Sequence, residues 1–147
     1  MKLFIIPSWY PTKINQASGL FFKERALLLK KAGLDVVVIA PILHSFRNFL
    51  HYGLMNQELA DPNNELPTLL HEQMNIFPKN EKRSFYRYQK QTINLFNRAV
   101  KKYGKPDSVL FNSSIWSGAA LCKKLNDEKI PFIVSEHLKE FLIPRGF

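Results

Sequence analysis

Two kinds of apolar pattern alternate along this chain. Residues 3–6 (Leu-Phe-Ile-Ile) and 36–40 (Val-Val-Val-Ile-Ala) are unbroken apolar runs closed by Pro7 and Pro41. Strands covered on both faces lose apolar/polar alternation, so both runs predict interior strands of a parallel sheet. Residues 20–31 between them predict a helix, with Phe21, Ala26, Leu27 and Leu28 expected on its core side and Gly33 as its stop. The opening third is thus a strand-helix-strand unit.

The rest continues the alternation less evenly. Residues 42–64 carry aromatic and mildly basic side chains and end in Asp61-Pro62-Asn63-Asn64, which predicts a mobile connection with one short helix. Residues 68–77 predict a third strand closed by Pro78. From Ser84, a candidate N-cap, Phe85, Tyr88, Thr92, Leu95, Phe96, Ala99, Val100 and Tyr103 recur at helical spacing, and Gly104-Lys105-Pro106 stops the helix. A fourth strand over 108–111, a helix over 115–126 and a fifth strand over 131–135 follow. The expected fold is α/β: a Rossmann-like, doubly wound parallel sheet of about five strands in the order 3-2-1-4-5, with helices on both faces and one domain over residues 1–147.

Composition narrows the class. At 147 residues and 46% hydrophobic content the chain suffices for one globular core. Its apolar runs fall short of the roughly 18 residues needed to span a bilayer, and the N-terminus enters a strand with no leader-like stretch, so the expected address is the cytoplasm. The single Cys122 has no second cysteine with which to pair or share a metal and reads as a small buried hydrophobe. No metal or cofactor is implied.

The net charge of +9 is concentrated in one element. Residues 81–105 hold eight basic residues against Glu81, a net +7. On the helix, Arg87, Lys90, Arg98 and Lys101 fall on one side, opposite the apolar stripe. Such a face suits an anionic membrane surface, at about 1 kcal/mol per nearby cation, and would place the protein peripherally on the inner face of the membrane. A solvated helix face accounts for the same pattern equally well. Nucleic acid is disfavoured as a partner, because the cations share their helix with a core stripe and no recognition motif occurs.

Parallel sheets bind ligands at their carboxyl ends. The first strand runs into the stiff loop Pro7-Ser8-Trp9-Tyr10-Pro11 and reaches Gly19 at the start of a helix, where a phosphate would find close backbone approach and a positive helix end. Gly-x-Gly-x-x-Gly and the Walker lysine are both absent, so the usual dinucleotide and P-loop modes are disfavoured. Pro7, Ser8 and Phe77 occupy the positions where a response regulator needs its acids.

The residues Pro7-Ser8-Trp9-Tyr10-Pro11, Ser18-Gly19-Leu20-Phe21-Phe22-Lys23-Glu24 and Ala32-Gly33-Leu34-Asp35-Val36-Val37-Val38, with Ile130-Pro131-Phe132-Ile133-Val134-Ser135-Glu136-His137 near the other end, form a familiar order. The chain resembles the N-terminal, acceptor-side domain of family 4 glycosyltransferases, which have the two-domain glycosyltransferase B fold. The resemblance anchors both ends of the chain. The middle third matches only in the order of its elements.

The resemblance implies transfer of a sugar from a nucleotide-activated donor to a glycan or lipid-linked acceptor, with retention at the anomeric carbon, in cell-envelope polysaccharide synthesis. It assigns Ser18 and Gly19 to the loop facing the donor diphosphate. His137 matches a histidine beside the transferred sugar, and Glu136 is expected to orient that ring or bind acceptor hydroxyls. Many relatives have a histidine at the end of the fourth strand, where this chain has Asn112-Ser113-Ser114. Asn112 and Ser113 are sugar-binding candidates by hydrogen bonding alone, since neither carries a proton at neutral pH. The paired glutamates and basic residues of the family's C-terminal donor domain are absent. The expectation is therefore an excised or truncated domain, inactive without its own C-terminal domain. A non-catalytic Rossmann-like binding or protein-interaction domain is the alternative reading.

Overall fold

The computed structural model describes residues 1–53, 56–59 and 65–136. Five strands, β1 (Lys2–Ile6), β2 (Asp35–His44), β4 (Thr68–Met74), β5 (Ser108–Phe111) and β6 (Phe132–Val134), form an all-parallel sheet in the order β4-β2-β1-β5-β6. This is the expected 3-2-1-4-5 order, with one addition. β3 (Asn56–Leu59) pairs antiparallel with β4 and makes a sixth, edge strand inside the stretch read as a connection. β2 also runs on through Pro41 to His44 before a 3₁₀ turn (Phe46–Asn48) and the single-turn α2 (Phe49–Tyr52). Pro41 ends the β-branched run without ending the strand.

The sheet separates two cores. On one face α3 (Glu81–Tyr103) and α4 (Ala119–Asp127) cover Phe4, Ile6, Val37, Ile39, Val109 and Phe111 with Leu95, Phe96, Ala99, Leu121 and Leu125. On the other face α1 (Leu20–Lys31), the loop before it and the segment before β4 cover Leu3, Ile5, Val36, Val38, Ala40, Leu70 and Leu110 with Ala26, Tyr10 and Leu66. Both faces of β1 and β2 are buried, the condition their unbroken apolar runs require.

The helix ends differ from expectation in two places. Asn80, not Ser84, caps α3: its side chain accepts from the Arg83 amide at 3.0 Å. Ser84 lies buried inside the first turn, its hydroxyl within hydrogen-bond distance of three acceptors, Asn75 Oδ1, Phe77 O and Asn80 O. α1 buries Phe22 and Ala26, leaving Phe21 60% and Leu28 65% exposed. It is apolar around most of its circumference, so periodicity does not choose a face. Its end is as read: Gly33 sits at φ +94°, with Leu34 N–H donating to Leu29 O and Gly33 N–H to Lys30 O. Cys122 is half-buried on α4 rather than buried.

Candidate functional site

The strand order reverses between β1 and β5, so the carboxyl ends of these neighbours diverge into a crevice. Register fixes what lines it. Ile6 pairs with Phe111 and Phe111 with Val134, so the segments that leave these strands, carrying Ser8, Ser113 and Glu136, start side by side at the rim. The segments read from opposite ends of the chain as parts of one site are therefore neighbours. A further contact ties them: Arg25 on α1 donates from Nη1 to Ser135 Oγ at 3.1 Å.

The loop before α1 is tightly built. Thr12 and Asn15 brace each other, and Ser18 N–H donates to Asn15 Oδ1 at 3.0 Å. Gly19 caps the helix in the left-handed region at φ +69°. A Cβ there would lie 2.3 Å from Trp9 O and 2.6 Å from Tyr10 N, so the glycine is required by contact with the preceding loop. That contact sets Trp9, whose ring stacks on Phe22 at 6.2 Å. Gly19 O also accepts from the Phe22 and Lys23 amides, and Leu20 N–H donates to Ala17 O, so those amides are already engaged.

After β5 the chain turns through a π-helical turn (Ser114–Gly118) before α4. Such turns widen a helix by one residue and recur at functional sites. Ser113 starts it, its Oγ accepting from Ile115 N–H at 3.3 Å while its carbonyl accepts from Ser117 Oγ and Gly118 N–H. Glu136 closes it from outside, with Oε2 accepting from both the amide and the hydroxyl of Ser114. Glu136 is thus a positioning group for the turn. His137, the residue beside it, lies outside the described residues.

Asn112 is the anomaly of the rim. It is 2% exposed, and neither its Oδ1 nor its Nδ2 finds a partner among the described residues. Ser8 Oγ, on the adjacent strand's extension, is likewise buried without one. A buried polar group left unsatisfied costs about 1–3 kcal/mol. Both follow the strands that flank the switch point, Ser8 after β1 and Asn112 after β5.

Beside them opens a cleft of about 400 Å³, lined by Ser8, Trp9, Pro41, Ile42, Leu43, Tyr88, Ser113, Ile115 and Trp116. Its volume is in the range of small-molecule sites, about 300–1,000 Å³, and apolar and aromatic walls with few polar groups are typical of them. The Trp116 ring meets Tyr88 edge-on at 5.2 Å and Phe85 at 5.6 Å, which holds the indole in place. Burial pushes the Tyr88 phenol well above its ordinary range, so this wall is neutral.

The basic face of α3 is not uniform. Lys90, Arg98 and Lys101 are exposed, and the latter two flank a shallow hollow with Leu69 and Lys102. Arg87 instead turns inward, its guanidinium 5.9 Å from the Phe77 ring centroid and Nη1 donating to Met74 O at 3.4 Å. Among the described residues no cluster of histidine, cysteine and carboxylate suits a metal, and no helix is long and apolar enough to cross a membrane.

Sequence reasoning missed one part of this rim and one buried polar pair. Tyr88 was assigned to the core stripe of α3 and Trp116 to an ordinary helix, yet both wall the cleft. The available signal was positional, since the two tryptophans each follow one of the strands flanking the switch point. The second missed feature is Glu72, wholly buried at the end of β4 with His44 Nε2 at 3.0 Å across the strand pair. No protein-family model and no curated protein matches the chain.

Proposed function

We propose that this chain is the acceptor-side domain of a retaining glycosyltransferase, which moves a sugar from a nucleotide-activated donor to a glycan or lipid-linked acceptor in cell-envelope polysaccharide synthesis. The observation that carries the proposal is the pairing of buried, unpartnered Asn112 and Ser8 with an aromatic-walled cleft at the sheet's switch point. A saccharide supplies what that arrangement lacks. Its hydroxyls both donate and accept, matching an amide and a hydroxyl, and its C–H faces pack on indole rings such as Trp9 and Trp116.

In this reading the Ser18–Gly19 loop faces the donor diphosphate, and Gly19 earns its place twice, by the close approach to Trp9 and by the absence of a side chain in front of the helix. His137 acts on the sugar or the attacking acceptor oxygen, and Glu136 acts indirectly by holding Ser114. The exposed cations of α3, Lys90, Arg98 and Lys101, hold the domain against anionic lipid. Turnover requires a second wall carrying the donor, because glycosyl transfer needs a positioned, water-excluding cleft.

Saturation-transfer NMR on the 147-residue chain tests the binding step, using methyl glycosides and nucleotide diphosphate sugars as probes. Saturation of the sugar-ring protons that falls on substitution of Ser113 or Asn112 is the expected result. Absence of transfer to every glycoside and nucleotide sugar in the panel would remove the proposal and leave a protein-interaction role in its place.

A further inference from the structure

Near the end of α3 lies a hollow of a different kind. Its volume is about 450 Å³ and it is lined by Leu69, Arg98, Lys101 and Lys102. It shares no lining residue with the switch-point cleft. Arg98 follows the cleft-lining Tyr88 by ten residues on α3, which at 1.5 Å per residue sets the two spaces roughly 15 Å apart along the helix. Leu69, buried at the start of β4, gives the hollow one apolar wall. The rest of the described lining is cationic, and none of it is a carboxylate.

The three cations are placed against their own repulsion. Arg98 precedes Lys101 and Lys102 by three and four residues, spacings at which like charges are neighbours and weaken a helix. Glu81, in the first turn, is the only acid in the 23 residues of α3, so no carboxylate on the helix offsets them. The end of α4 is built the other way, with Lys123 set against Asp127 at 3.8 Å and Lys124 against Glu128, each four residues on. The partial negative charge of a helix C-terminus favours cations in the last turn, which accounts for Lys101 and Lys102 as it does for Lys30 and Lys31 on α1. It does not account for Arg98, a turn earlier, or for a hollow between the three. Two neighbouring cations serve the backbone instead: Lys2 Nζ donates to Tyr103 O, and Lys105 Nζ to Glu128 O at 3.0 Å.

We propose that this hollow is a binding site for a multiply charged phosphate group, a phosphomonoester or a short polyphosphate. Three cations balance the two or more negative charges such a group carries. The Arg98 guanidinium presents paired N–H donors to two oxygens of one phosphate, and the two ammonium groups act as point charges on the others. On the Leu69 side there is no water to weaken the attraction. The site stands apart from the cleft, so it does not depend on what the cleft holds.

Isothermal titration calorimetry of the 147-residue chain with orthophosphate, pyrophosphate and tripolyphosphate tests the site. Affinity should rise along that series. Lys101→Gln combined with Lys102→Gln, both at exposed positions, should weaken tripolyphosphate binding by about tenfold. Lys30→Gln combined with Lys31→Gln removes the same charge from the same place on α1 and should leave the affinity unchanged. Absence of binding for all three phosphates would overturn the proposal. So would an equal loss in the two double variants, because the attraction would then belong to the net charge of +9 and not to the hollow. Once tripolyphosphate binding is seen, sedimentation with phosphatidic acid vesicles, against phosphatidylcholine alone, identifies the source of the phosphate. Retention that the Lys101 and Lys102 double variant loses assigns the site to a lipid headgroup, and absence of retention assigns it to a soluble phosphate compound.

Discussion

Glu136 Oε2 accepts two hydrogen bonds from a single residue, Ser114: one from its amide at 2.9 Å and one from its hydroxyl at 2.6 Å. The contact joins the end of β6 to the turn after β5, twenty-two residues earlier, and sets the wall from which Ser113, Ile115 and Trp116 face the cleft. Charge-assisted hydrogen bonds are the stronger kind, though this pair is open to solvent. A double-mutant cycle with Glu136→Ala and Ser114→Ala should give a coupling of about 1 kcal/mol in urea unfolding. Both single variants should also shift the Trp116 indole resonance. A coupling near zero would show that the turn holds its shape without Glu136.

Gly19→Ala should be among the most disruptive single methyl additions on the surface. The left-handed backbone alone costs a non-glycine residue about 1–2 kcal/mol, and here the added Cβ would also overlap the Trp9 carbonyl. The Trp9 loop must move, and with it the stack on Phe22. Thermal unfolding should show a lowered midpoint, and tryptophan fluorescence of the still-folded protein should show Trp9 in a new environment. An unchanged emission spectrum would mean that the loop and helix are not locked together as the contact implies.

The parallel strands were legible because burial on both faces erases alternation, and Leu3–Ile6 and Val36–Ala40 are long enough for that erasure to show. β3 was not legible, because Asn56-Gln57-Glu58-Leu59 has no apolar period and owes its strand to pairing with the edge of β4. The buried face of α1 was hidden for the opposite reason. Leu20, Phe21, Phe22, Leu27, Leu28 and Leu29 offer several apolar faces, and stacking of Phe22 against Trp9, a contact between a loop and a helix, belongs to the one chosen. At the site, Asn112, Ser113 and Glu136 were reached through resemblance and strand-end logic. Tyr88 was read as core, since helical spacing treats a cleft wall and a core stripe alike; only the π-helical turn, which brings Trp116 onto it, separates the two.

Tyr88 should stay un-ionised throughout the native range of pH. Burial raises its phenol well above the usual value near 10, because the phenolate would lose its hydration. The unfolded chain has no such constraint, so above about pH 10 it releases a proton that the native state retains. The stabilising contribution is therefore complete below that pH and is lost as the pH climbs toward the raised native value. Phenolate absorbance of the wild type and of Tyr88→Phe should coincide up to the alkaline unfolding transition and separate there. An earlier divergence would mean that water reaches the phenol through the cleft.

Asn112 offers the sharpest separation of binding from stability. An amide held in the fold by its own hydrogen bonds would cost stability when replaced, whereas one with both polar atoms unpartnered carries a desolvation penalty that an apolar residue of similar shape removes. Asn112→Leu should therefore leave unfolding stability unchanged or raise it by about 1 kcal/mol. The same variant should lose saturation transfer to glycosides if the Asn112 amide, next in sequence to the cleft-lining Ser113, takes part in recognition. Asn112→Asp makes the complementary test: a buried carboxylate without a partner should lower stability at neutral pH and recover part of it on acidification. A marked destabilisation in Asn112→Leu would mean that the amide is satisfied within the fold, and the argument that it waits for a ligand would fail. Retained stability together with lost glycoside binding would tie the strain at this rim directly to recognition.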